Sequence, residues 1–139
     1  MNISGKHLAA LLTVLLSQPL MAHDNATLDA MSAPNGGMIR MAGSYHLELV
    51  LQSKQARIYV TDHAGKPIAT QGSSAELTLM GKTRQQIRLQ PAGGNLLRGD
   101  AGELKDVSYQ AILRLHMAGQ QEQLTQFTGV KPKFLIRPK

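Results

Sequence analysis

The 139-residue sequence predicts an all-β fold: an antiparallel β-sandwich of the Ig-like kind or a small barrel, with seven to eight short strands behind a cleaved signal-peptide helix. Three observations predict it. Apolar and polar residues alternate with a period of two along most of the chain. Turns marked by Gly and Pro recur between the alternating runs. The apolar positions are mostly Leu, Val and Ile, and residues 23–139 are enough for one domain with one core.

The elements follow in order. Met1–His7 carries Lys6, Leu8–Leu16 is apolar apart from Thr13, and Ser17–Ala22 contains Pro19 and ends in a small residue. This is the three-part pattern of a secretory signal peptide, and its apolar run is about half of the roughly 20 residues a membrane-spanning helix needs. Cleavage after Ala22 and a periplasmic address are expected, with no stable membrane anchor left behind. Residues 23–37 contain Pro34, Asn35, Gly36 and Gly37 and show neither helical nor strand period, which predicts a flexible N-terminal arm.

A β-domain is expected over 38–128. It starts with a short strand near Met38–Met41. Tyr45–Leu51 then places Leu47, Leu49 and Leu51 on one face and His46, Glu48 and Val50 on the other. Arg57–Thr61 turns Ile58 and Val60 inward, and Asp62–Pro67 is a turn. Ala75–Met80 and Arg84–Gln90 form a hairpin about Gly81-Lys82. Asn95–Arg98, Asp106–His116 and Gln121–Thr128 complete the set, and residues 129–139 read as a basic tail.

Composition removes several function classes. The formal charge of +6 is not arranged as a basic stripe interleaved with aromatics, so nucleic acid is not an expected partner. With no cysteine there is neither a disulfide nor a thiolate ligand. No G-x-S-x-G elbow, H-E-x-x-H helix or phosphate loop occurs, and the acids are scattered singly. The chain is not expected to be an enzyme, and no catalytic residue is assigned.

Histidine and methionine remain. His23, His46, His63 and His116 follow the predicted cut, with Met31, Met38, Met41, Met80 and Met117. Imidazole with thioether is a ligand set that suits copper, Cu(I) above all. The candidate metal ligands are His23, His46, Glu48, Met38 and Met41. Cleavage after Ala22 would give His23 a free α-amine able to chelate together with its ring. His46 and Glu48, two apart on a strand, project from one face and could give a nitrogen and an oxygen. Each has an ordinary alternative: His23 as part of a frayed terminus with no role, methionine as core filler, His46 and Glu48 as a polar sheet face, and His63 as a solvated turn residue.

Several segments resemble a family of small bacterial periplasmic proteins associated with copper and other heavy metals. They are similar as well to the N-terminal regions of some heavy-metal efflux adaptor proteins. The resemblance runs over residues 34–115. It is carried by Asn35-Gly36-Gly37, Tyr45-His46-Leu47-Glu48-Leu49-Val50, Tyr59-Val60-Thr61-Asp62-His63-Ala64-Gly65-Lys66-Pro67, Ala75-Glu76-Leu77-Thr78-Leu79 and Leu89-Gln90-Pro91-Ala92-Gly93-Gly94-Asn95-Leu96. It implies a periplasmic β-sandwich linked to metal handling. The family pattern reads His-Gly-Gly where this chain has Asn35-Gly36-Gly37, and Asn is a poor ligand for a soft ion.

The expected function is therefore a periplasmic metal-binding protein, for copper as Cu(I) or Cu(II), that buffers or delivers the ion in heavy-metal resistance or efflux. The alternative is a non-metal interaction module that docks on a metal-efflux adaptor or another envelope protein, with Lys131–Lys139 in the contact.

Overall fold

The computed structural model describes residues 24–134; the expected signal peptide (residues 1–22) and His23 lie outside the described residues. One short helix, α1 (Asn25–Ala30), precedes eight strands: β1 (Met38–Ala42), β2 (Tyr45–Leu51), β3 (Gln55–Thr61), β4 (Ser74–Met80), β5 (Arg84–Pro91), β6 (Leu96–Asp100), β7 (Tyr109–His116) and β8 (Gln123–Val130). Among the described residues, no helix is long and apolar enough to cross a membrane.

All eight strands form one antiparallel sheet in the order β1-β2-β3-β6-β5-β4-β7-β8. Only β3 with β6 and β4 with β7 pair across longer connections. The sheet curls until β1 and β8 lie side by side, and Gly43 after β1 sits against the Gln123 side chain that opens β8. Beyond β8 the chain crosses to β2, where the Lys133 N–H donates to the Leu51 carbonyl at 2.7 Å. The two architectures open from the sequence thus resolve to a nearly closed barrel. Near-closure leaves few strand edges with unpaired backbone groups.

The alternation explains the interior. Leu47, Leu49 and Leu51 of β2 point inward, with Ile58 and Val60 of β3. Leu77 and Leu79 of β4, Leu113 and Leu115 of β7 and Phe127 of β8 close the core from the other side. Curling needs a close approach where β5 crosses β6. Gly99 supplies it: a Cβ there would lie 2.8 Å from Ile87 Cγ2 and 2.9 Å from Leu89 Cδ2.

Some boundaries differ from the expectation. β8 runs to Val130, past the expected start of the tail, because Val130 is buried and pairs with Tyr109 across a bulge. Gly129 takes the positive φ of +79° beside that bulge. The arm contains α1, capped where the Asp24 carboxylate accepts from the Thr27 N–H at 2.8 Å. Six residues with Leu28 as the one buried side chain are too few to display a helical period.

Candidate functional site

The arm does not leave the barrel. It lies over the outward face of β1 and β2 and is fixed at two places. At the first, Arg40 of β1 donates from Nη1 to Asp29 Oδ1 of α1 at 2.8 Å. At the second, Glu48 of β2 receives three N–H groups. Oε1 accepts from the backbone of Asn35 at 2.9 Å and of Gly37 at 2.8 Å, and Oε2 accepts from Asn35 Nδ2 at 3.0 Å. Hydrogen bonds to an ionised acceptor are the stronger class, and here they hold a whole segment.

Local sequence permits this contact. Gly36 takes φ +69°, open to a residue without Cβ. At Gly37 a Cβ would collide with the Leu49 carbonyl and lie 2.7 Å from Val50 Cγ2. The two glycines let the arm pass against the backbone of β2.

Under the arm is a cleft of about 480 Å³. Met31, Ser32, Pro34 and Asn35 of the arm line one side. Ile39, His46, Glu48, Tyr59 and Thr61 form its floor, and Gly65, Pro67 and Asn95 its far wall. The size and the mixture of apolar wall with a few polar groups are those of a small-ligand site.

The turn after β3 completes the arrangement. Asp62 Oδ1 accepts from the N–H groups of Ala64 at 2.8 Å and Lys66 at 2.9 Å, and Gly65 turns the chain at φ +81°. This shaped turn presents His63, whose ring stacks on His46 with centroids 4.8 Å apart and planes 21° from parallel. His46 is buried, only 3% exposed, while His63 faces solvent. The pair therefore has a buried member and an accessible one.

The sequence-derived candidates separate as follows. His46 and Glu48 share the outward face of β2, and both are buried rather than displayed on an open polar surface. The arm supplies the burial. Glu48 is engaged by the arm's N–H groups, and Asn35 is one of the donors, through both its backbone and its side-chain amide. Met41 is opposite His46 in the β1–β2 register, whereas Met38 is opposite Leu49 and packs against the core. His23 lies outside the described residues. Among the described residues, no three His, Asp or Glu side chains gather in a group able to hold a metal ion.

His63 was absent from the candidate set. A signal for it exists: a tight hairpin that pairs Leu51 with Ala56 also pairs His46 with Thr61. His63 lies two residues further on, in the turn that directly follows β3, so it stays at the same end of the strand pair as His46. Docking of the arm leaves no such trace, because the partners of Glu48 are mostly backbone groups.

No protein-family model matches the chain, and no curated protein or solved structure shows significant similarity to it.

Proposed function

We propose that this chain is an exported metal-binding protein that holds copper in the cleft beneath its N-terminal arm, to buffer or deliver it in the periplasm. The observation that carries the proposal is the His46–His63 ring stack, whose buried member, His46, lines the partly covered cleft. Two imidazoles so close offer nitrogen donors that suit copper, and the buried position of His46 limits competition from water. Glu48 serves this site as the group that keeps the arm over it. Its carboxylate stays on the Asn35 and Gly37 N–H groups.

The test is a competition titration of the isolated protein with Cu(I) and Cu(II) against chromophoric chelators. Wild type is expected to bind Cu(I) more tightly than about 10 μM, a modest threshold on the affinity scale. His46→Ala and His63→Ala should each weaken binding at least tenfold, a loss of about 1.4 kcal/mol. His23→Ala enters as a separate arm, since the sequence offers that residue on different grounds. Wild-type binding weaker than about 10 μM for both oxidation states, or unchanged binding in both cleft variants, rejects the proposal.

A further inference from the structure

We propose that Asn35 is a modification site: spontaneous deamidation at the Asn35-Gly36 pair releases the arm from Glu48 and opens the cleft. Asn35 alone among the asparagines is followed by glycine; Asn2, Asn25 and Asn95 precede Ile, Ala and Leu. Deamidation needs the next residue's backbone nitrogen to reach the asparagine side-chain carbon. Glycine, with no Cβ and a wide conformational range, makes that approach easiest. Asn35 and Gly36 are both exposed to water. The Gly36 nitrogen loses its proton to solvent base and attacks the amide carbon of Asn35. The bond from that carbon to Nδ2 breaks, and ammonia leaves after taking up a proton. Water then opens the cyclic imide at either carbonyl, giving aspartate or isoaspartate. One water is consumed and one ammonia released, with no change of oxidation state.

The hydrogen bonds between Glu48 and the arm form a latch that controls this reaction, and the reaction destroys the latch. In the folded chain both reacting groups are engaged. The Gly36 N–H donates to the Ala33 carbonyl at 2.9 Å, closing a turn with Pro34 and Asn35 at its centre. Asn35 Nδ2 donates to Glu48 Oε2 at 3.0 Å. Attack requires both bonds to open, so it proceeds from molecules whose arm has lifted. The product does not fit back. An aspartate puts a carboxylate where Glu48 had a donor, and two like charges at that distance repel. An isoaspartate adds a methylene to the main chain just before Gly36. That displaces Gly37, whose N–H reaches Glu48 Oε1 at 2.8 Å and at which a Cβ would already collide with the Leu49 carbonyl. Asn95 offers no such route: its Nδ2 donates to the Val60 carbonyl at 3.1 Å, and leucine follows it. Release is therefore one-way, and His46, 3% exposed under the latched arm, becomes accessible and stays so. The site works alike whether or not the cleft holds copper.

The experiment ages the full chain at mildly alkaline pH and follows it by peptide mass spectrometry, with hydrogen exchange on the products. Wild type should gain the deamidation mass at Asn35 before Asn25 or Asn95. Glu48→Ala should deamidate at least about tenfold faster, the factor by which losing a hydrogen bond to a charged group raises an opening equilibrium. Asp29→Asn, which weakens the other anchor of the arm, should speed the reaction by less. Aged wild type and fresh Asn35→Asp should both exchange faster than fresh wild type through residues 31–37. Both should also exceed Asn35→Ala there, because only they set a carboxylate against Glu48. Deamidation at Asn25 or Asn95 first, or an Asn35 that survives as long as those two, overturns the site. Equal rates in wild type and both anchor variants overturn control by the latch. Exchange in the aged protein and in Asn35→Asp no faster than in Asn35→Ala overturns the one-way release.

Discussion

β2 and β7 carry the same sequence pattern and have different fates. In β7 burial alternates strictly: Tyr109, Ala111, Leu113 and Leu115 are inside, and Gln110, Ile112, Arg114 and His116 outside. In β2 every residue after Tyr45 is buried. The inward faces are alike, each packed with leucine. The outward faces differ because only β2 has a second layer, the arm held by Glu48 and Arg40. An outward face becomes a site when something covers it. The covered face holds His46 and Glu48 at 3% and 5% exposure, whereas the open one leaves Leu124, the cross-strand neighbour of Arg114, 60% exposed.

Substitutions test this contrast. The largest effect belongs to the interior that both strands share. Phe127→Ala removes a fully buried ring from β8 and should cost about 3–5 kcal/mol in urea unfolding. A cost below about 1 kcal/mol would mean the barrel interior does not hold the fold together.

Glu48→Ala comes next. It leaves the Asn35 and Gly37 N–H groups without their shared acceptor and should cost about 2–3 kcal/mol, the worth of part-buried hydrogen bonds to a charged acceptor. Hydrogen exchange should then accelerate through residues 31–37 while β7 and β8 stay protected. Uniform acceleration over the whole barrel would show that the arm is not a separate layer.

Asn35→Ala removes only the side-chain donor to Oε2 and keeps both backbone bonds to Oε1. The expected loss is about 1 kcal/mol. A loss as large as that of Glu48→Ala would place the whole latch on the amide side chain.

The smallest effect is on the open face. Arg114→Gln breaks a 3.4 Å pair with Glu122 in which both side chains are about half exposed. It should shift stability by less than about 0.5 kcal/mol, as exposed ion pairs do. A shift above about 1 kcal/mol would indicate that β7 also has a covering layer.

Much of the barrel is legible in the chain because its signals are local. The alternation of Leu47, Leu49 and Leu51, or of Ala111, Leu113 and Leu115, fixes which side goes inward. Turn chemistry at Asp62–Pro67 and Gly81-Lys82 marks where strands end. The choice between sandwich and barrel is not local. It rests on β3 pairing with β6, β4 with β7, and β1 meeting β8, and strands of the same alternation could pair otherwise.

The site divides along the same line. The order of residues alone fixes that His46 and Glu48 share a face of one strand, because a strand's period is two. It also determined that thiolate chemistry is absent, because there is no cysteine. The binding of the arm by Glu48, the burial of that face and the stacking of His63 on His46 emerge with the folded chain. The physical reason is that these depend on distant groups meeting in space. Glu48 finds two backbone N–H groups and one amide from 11 to 13 residues away, and a backbone N–H is the same group in almost every residue.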